Sequence, residues 1–160
     1  MLAWTLFALV ALGLFYVLAG YPMLLAFEAK FFPKPIRRQQ AHRETVTAII
    51  AVRNGERWLA NKLDSLLRQE YPQELLEIIV VSDGSTDRTE DIVRAYAERG
   101  VKLLVVPHGG KPAALNAAVP NAHGELLLLT DVRQILQPDC LARLVAVMAD
   151  PAIGVVSGDL

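Results

Sequence analysis

The chain has 160 residues, 53% of them apolar, and its 16 basic and 17 acidic side chains nearly cancel. From Glu44 onward it holds 16 acidic and 11 basic residues, so a basic nucleic-acid binder is excluded and no nucleic-acid partner is expected. A single cysteine, Cys140, excludes a disulfide scaffold and a Cys-rich zinc module.

The first element is an uncharged run over residues 2–27; no charged residue precedes Glu28. As a helix it spans about 39 Å at roughly 1.5 Å per residue, enough for a hydrocarbon core of about 30 Å. Trp4 near one end, and Tyr21 and Phe27 near the other, sit where interfacial anchors sit. Pro22 is expected to kink this helix or end it. A cleaved signal peptide needs a basic start, and residues 1–5 (MLAWT) have none. Residues 1–27 therefore read as a retained transmembrane anchor. Residues 28–44 come next as a basic juxtamembrane linker carrying Lys30, Lys34, Arg37, Arg38 and Arg43, broken by Pro33 and Pro35. Such a collar places the domain after it on the cytoplasmic side, and it also suits anionic head groups. The sequence thus reads as an integral membrane protein with a cytoplasmic domain, as in a bacterial inner membrane.

From residue 45 strands and helices alternate. Residues 45–52 (TVTAIIAV) form a buried strand. Residues 56–70 form a helix with Trp58, Leu59, Leu63, Leu66 and Leu67 inward, stopped by Pro72. Residues 76–81 (LEIIVV) are the second strand, and residues 87–99 a helix with Ile92, Val93, Tyr96 and Ala97 inward and Gly100 as its stop. Residues 101–106 (VKLLVV) are the third strand, 111–118 a short Ala-rich helix, 125–130 (ELLLLT) the fourth strand and 138–148 a helix. Residues 153–157 begin a fifth strand. Nearly continuous apolar strands with helices between them predict an α/β, mostly parallel sheet covered on both faces. In such sheets ligands bind beyond the carboxyl ends of the strands.

Polar residues converge on that edge. The four strands are followed by Arg53-Asn54-Gly55-Glu56, by Ser82-Asp83-Gly84-Ser85-Thr86-Asp87, by His108-Gly109-Gly110-Lys111 with Asn116 further on, and by Asp131-Val132-Arg133-Gln134. No GxxxxGK(S/T) occurs and no GxGxxG follows the first strand, which argues against P-loop and dinucleotide sites. Ser85 and Asp87 have a plain role as helix caps. Asp83 does not; at the end of an apolar run its carboxylate suits a base N–H or a ribose hydroxyl. His42, His108 and His123 lack metal-ligand spacing, Cys140 has no base near it in sequence, and Trp58 and Tyr96 fit helix–sheet packing.

Three blocks, VTAIIAVRNGERWLANKLDSLLRQEYP, EIIVVSDGSTDRTEDIV and GGKPAALNAAVPNAHGELLLLTDVR, stand in that order between residues 45 and 160. Together they resemble the start of a family 2 glycosyltransferase with a GT-A fold. The resemblance implies that residues 45–160 are the nucleotide-sugar-binding part of such a domain, and an incomplete one. It places Val52, Asn54 and Glu56 on a first nucleotide loop, with Glu56 near the uridine. It places Asp83 on the base and Ser85 beside it, Lys111 and Asn116 in a KxxxLN helix, and Asp131 at the first acid of a DxD motif. It implies a nucleotide-sugar donor, UDP-linked, and a divalent metal, Mg2+ or Mn2+, at Asp131. It implies an inverting transfer to a lipid-linked or polysaccharide hydroxyl at a membrane. Arg133 stands where the second acid of the motif is expected, and arginine cannot ligate a cation. Either Asp131 holds the metal with the diphosphate alone, or Arg133 replaces part of its charge, or activity is lost. The family's general base is expected beyond Leu160, since Asp159 lies too near the fifth strand, and a longer parent chain is expected with it. The alternative is a non-catalytic, membrane-tethered nucleotide-sugar-binding remnant or scaffold subunit.

Overall fold

The computed structural model describes residues 1–33, 35–39 and 43–158. Lys34, His42 and Asp159 lie outside the described residues. The chain divides into two units, Met1–Ile36 and Arg37–Leu160.

In the first unit α1 (Leu2–Phe15), a π-helical turn (Tyr16–Gly20) and α2 (Tyr21–Phe31) succeed one another without a break. The run Leu2–Phe31 is long and apolar enough to cross a membrane, and none of its side chains is buried. Pro22 does not end it. A proline offers no N–H to the carbonyl four residues back, and its ring crowds that carbonyl. Widening the preceding turn gives the ring room, and the Tyr21 N–H accordingly bonds the Tyr16 carbonyl, five residues back. The helix runs past Phe27 and stops at Phe32, whose φ of −128° leaves the helical region; the residue before a proline, here Pro33, is driven out of it.

The second unit is a parallel sheet of four strands in the order β3-β2-β1-β4, an α/β fold. The strands are β1 (Val46–Val52), β2 (Leu76–Asp83), β3 (Val101–Val106) and β4 (Leu126–Leu129). The helices are α3 (Glu56–Leu67), α4 (Thr89–Ala95), α5 (Lys111–Ala118) and α6 (Cys140–Met148). Alternation along β1 sends Ala48, Ile50 and Val52 to one face, where they meet Leu59, Leu63 and Leu66 of α3 and Val93 of α4. Ile49 points to the other face and packs with Ile79, Val81, Ala114 and Ala118 under α5. The side change comes from topology: β1, β2 and β3 are laid down in one direction, β4 returns to the far side of β1, and right-handed crossovers then put α5 on the opposite face. The gap between the carboxyl ends of β1 and β4 is therefore the switch point of the sheet, where ligands of such folds bind.

Four sequence expectations need correction. The first helix of this unit ends at Leu67, and the second holds only seven residues before a 3-10 turn, Ala97–Arg99, closed by Gly100 at φ 83°. Trp58 is not wedged between helix and sheet: it is 37% exposed, because Leu59, Leu63 and Leu66 already form the buried stripe of α3. Tyr96 packs against the core as expected. The fifth strand does not form. Residues 154–157 run beside β4 across an apolar groove of about 640 Å3, and a strand exists only through its ladder to a neighbour. The four-residue β4 therefore remains an edge, with Leu127 and Leu129 half-exposed.

Candidate functional site

The four strands deliver their loops to one edge, and those loops hold one another by side-chain to backbone bonds. Asn54 takes a left-handed conformation, φ 52°, which asparagine tolerates better than most residues. Its N–H donates to Ser85 Oγ at 3.1 Å, and its Oδ1 accepts the Thr86 N–H at 2.8 Å. Gly55 lets the loop fold back on β1: a Cβ there would collide with Val52 Cγ2. Glu56 and Asp87 cap each other's helices. Asp87 Oδ2 accepts the Glu56 N–H and Glu56 Oε2 accepts the Arg88 N–H, each at 3.1 Å. Burial alone would raise the Asp87 carboxyl, but bonds from the Thr89 hydroxyl and the Glu56 N–H hold it below the ordinary range.

Asp83 closes β2 and is 5% exposed. Its oxygens accept the Gly109 N–H at 2.7 Å, the Gly110 N–H at 3.1 Å and His108 Nδ1 at 3.0 Å. The Gly109 bond, with the two others, keeps this carboxyl ionised below its usual range. His108 Nε2 faces Arg53 Nη1 at 3.3 Å. A guanidinium only donates, so Nε2 accepts and the proton sits on Nδ1, directed at Asp83. Asp83 thus shapes the third loop from inside. Gly84, at φ 64°, lies under that loop, with His108 Cβ 2.9 Å from where its own Cβ would be.

The charged front of the site is formed by Lys111, Asp131 and Arg133. Lys111 Nζ lies 3.7 Å from Asp131 Oδ2, and Arg133 Nε 4.0 Å from Asp131 Oδ1. Asp131 Oδ1 accepts the Arg133 N–H at 3.0 Å, while Oδ2 has Lys111 beyond hydrogen-bond length. All three remain open, with side chains 56%, 39% and 72% exposed. The Arg133 guanidinium lies 5.4 Å from the centre of the Trp58 ring, a cation–π contact.

The structure therefore brings Asn54, Glu56 and Ser85 together, and Lys111, Asp131 and Arg133 together. Val52 is buried in the core, so only its backbone faces the site. Asn116 is exposed on α5, away from the buried Ala114 and Ala118, and joins neither group. Among the described residues no group of three His, Cys, Asp or Glu side chains could enclose a metal. Asp131 Oδ2 is a hard oxygen on a side chain 39% exposed, with Lys111 Nζ 3.7 Å away; a single such oxygen fits only a metal shared with a ligand's own oxygens.

Sequence reasoning missed Lys62. It is fully buried on α3, and its Nζ donates to Thr130 Oγ1 at 2.7 Å and to the Gln134 carbonyl at 2.5 Å. Burial pushes its pKa down to about 8, against the pull of the Asp131 charge. The available signal was a lysine at the i+3 place of the stripe begun by Leu59. His108, which the sequence places at the site's edge, bonds Asp83 there, a partner the sequence does not reveal. Cys140 opens α6 half-buried, and burial raises its thiol, which suits a packing residue.

Known proteins resemble this chain in sequence and fold. The family model "Glycosyl transferase family 2" matches residues 47–159. A probable glycosyltransferase of Bacillus subtilis, YdaM, is 30% identical over 91% of this chain and 36% of its own length. The beta-monoglucosyldiacylglycerol synthase of a Nostoc species is 30% identical over 69% of this chain and 25% of its own. The mannosyltransferase PcManGT of Pyrobaculum calidifontis, solved with GDP-Man and Mn2+, superposes with TM-score 0.74 at 34% identity, over 91% of this chain and 45% of that one. TarS of Staphylococcus aureus, solved with UDP-GlcNAc, superposes with TM-score 0.58 at 30% identity over 61% of this chain and 29% of that one. This chain spans less than half the length of each of these proteins. With its parallel α/β sheet, its loops gathered at the switch point and the matched model running through all four strands, the chain belongs to glycosyl transferase family 2, with a GT-A fold.

Proposed function

We infer that this chain is the donor-binding part of a membrane-anchored, inverting glycosyltransferase, moving a sugar from a UDP-sugar to a hydroxyl of a lipid-linked or polysaccharide acceptor. The observation that carries the reading is the exposed Lys111–Asp131–Arg133 group at the switch point, flanked by three interlocked loops. The neighbours solved with GDP-Man and Mn2+ and with UDP-GlcNAc support a nucleotide-sugar donor. The names of the beta-monoglucosyldiacylglycerol synthase and of a poly(ribitol-phosphate) beta-glucosyltransferase of Bacillus spizizenii, 34% identical over 61% of this chain and 16% of its own length, support a lipid or polymer acceptor.

In such a displacement the acceptor oxygen bonds to the anomeric carbon while the carbon–oxygen bond to the diphosphate breaks. The acceptor proton passes to a carboxylate base. Negative charge develops on the leaving diphosphate, and groups already aimed at it lower the barrier most. Lys111 meets it as a point charge and Arg133 as a planar fork. Asp131 Oδ2 would hold Mg2+ or Mn2+, which supplies Lewis-acid neutralisation of the same oxygens. Asp83 already accepts four hydrogen bonds from His108, Gly109 and Gly110, about the capacity of a carboxylate, so it would serve the base by holding the third loop in shape. Asn54, Glu56 and Ser85 shape the wall beside the nucleoside, with the Val52 backbone, while Asn116, on the outer face of α5, takes no part in it. Residues 1–27 would anchor the site at the membrane, and the basic residues of 28–44 would keep it on the cytoplasmic side.

Arg133, in place of a second acid, favours one rival: a binding remnant without transfer. Incubating the full-length protein in its membranes with labelled UDP-sugars and GDP-Man separates the two. Transfer of label to lipid or polymer, lost in Asp131→Asn, is the expected result. Nucleotide binding with neither transfer nor hydrolysis would establish the remnant instead.

A further inference from the structure

A lysine with no exposed surface is costly, because its ammonium must leave water. An apolar side chain at position 62 would fill the same place on the α3 stripe beside Leu59, Leu63 and Leu66. The amine of Lys62 is spent on one short segment. It donates to Thr130 Oγ1 on one side and to the Gln134 carbonyl on the other. Between these two anchors lie Asp131, Val132 and Arg133. The segment closes on itself in front of the amine: the Gln134 N–H bonds the Asp131 carbonyl at 3.2 Å, and the Asp131 N–H bonds Gln134 Oε1 at 3.3 Å. Thr130 is itself fastened to the sheet, its N–H on the Ile49 carbonyl at 3.3 Å. One helical turn before Lys62, on the same face of α3, Trp58 carries the Arg133 guanidinium on its ring.

We propose that Lys62 is a positioning residue that fixes the 131–133 turn from behind, so that Asp131 and Arg133 are presented together to the diphosphate of the donor. This rests on the reading of the site as a nucleotide-sugar site. Lys62 has no access to a ligand, so its action runs wholly through the turn. It sets the spacing between a carboxylate and a guanidinium that would otherwise collapse onto each other as an ordinary surface pair. α3 thereby serves the site three times, through Glu56 at its start, through Trp58 under Arg133 and through the buried amine of Lys62.

The test is the affinity of the full-length, detergent-solubilised protein for UDP and for GDP with Mn2+ present, measured by calorimetry. The native protein is compared with Lys62→Met. Both are compared again in a background where Asp131→Asn and Arg133→Gln have removed the two side chains that the turn presents. The expected result is a Kd raised about tenfold by Lys62→Met in the native background, the size of a misplaced charge-assisted contact, and unchanged by it in the second background. A Lys62→Met protein that binds as tightly as the native one overturns the proposal. So does an equal loss in both backgrounds, which would mean that Lys62 acts through general stability. Should Lys62→Met fail to fold, Thr130→Val carries the same comparison with one anchor removed; a loss of several-fold confined to the native background is expected, and no loss overturns the proposal. If the native protein binds neither UDP nor GDP, the nucleotide-sugar reading itself fails and the positioning role goes with it.

Discussion

The two ends of the sheet treat charge in opposite ways. At the amino end Glu77 of β2 is enclosed: it accepts Thr47 Oγ1 and Lys102 Nζ, each at 2.6 Å, and both the N–H and Nδ1 of His123, at 2.9 and 3.0 Å. Burial works to raise this carboxyl, yet Lys102, Thr47 and His123 together bring it down to about 2. At the carboxyl end Asp131 has Lys111 and Arg133 within reach but bonds neither side chain closely, and all three stay open. A charge whose partners are all supplied by the protein stabilises the fold. A charge held near its partners and left unsatisfied is available to a ligand. The amino end is a lock and the carboxyl end is a site, although both are built from acids, lysines and loops.

The sharpest way to break this comparison is to neutralise one acid at each end. Asp131→Asn should lower the transfer rate of the full-length protein about 100-fold or more, the order lost when one group stabilising a developing charge is removed. Its thermal midpoint should stay within about a degree, because the carboxylate is exposed. Glu77→Gln should do the reverse. It disturbs a cluster of four hydrogen bonds, one part-buried and three at the surface, so a loss of about 1 kcal/mol in stability is expected, read as a midpoint lower by a few degrees. Donor affinity, measured in the same preparation, should not change. An Asp131 variant that melts early, or a Glu77 variant that binds poorly while folded, would reverse the assignment of lock and site.

Acid titration sharpens the same contrast. The folded pKa of Glu77, about 2, lies below its ordinary 4.5. Its contribution to stability is therefore whole above pH 4.5 and drains away as pH falls toward 2. Asp83 and Asp87, also depressed, drain in the same direction. Chemical denaturation at several pH values should give a curve for Glu77→Gln that is flatter than the native one across this window. A smaller effect is expected at the site's rim. Trp58→Ala removes the ring beneath Arg133 and should weaken donor binding by about two- to fivefold, in line with an exposed cation–π contact of roughly 0.5–1 kcal/mol.

The lock was hidden from the sequence, whereas most of the site was not. The strands announce themselves as apolar runs, and the bounds read for the third strand and the Ala-rich helix, 101–106 and 111–118, are those observed. Each loop comes directly after its strand, so the residues at the site's edge could be read off without knowing any contact. Lys62, Glu77 and His123 could not. Their partners lie 68, 25 and 46 residues away, and a lysine or glutamate in an amphipathic pattern reads as solvated until the distant element that satisfies it is in place. Trp58 misled because size and helical spacing suggested packing, while its neighbour Leu59 took the buried place. The fifth strand misled because residues 153–157 have strand composition, but composition makes no ladder: they lie across a groove from the open edge of β4 without bonding to it.

The most direct test of this division of labour is hydrogen exchange in the full-length protein with and without saturating UDP and Mn2+. New protection is expected at 52–56, 83–87, 108–111 and 131–134, the four loops beyond the carboxyl ends of the strands. None is expected around Glu77, Lys102 and His123. Protection at the amino end, or no change at either end while UDP is bound, would contradict the placement of the donor at the switch point.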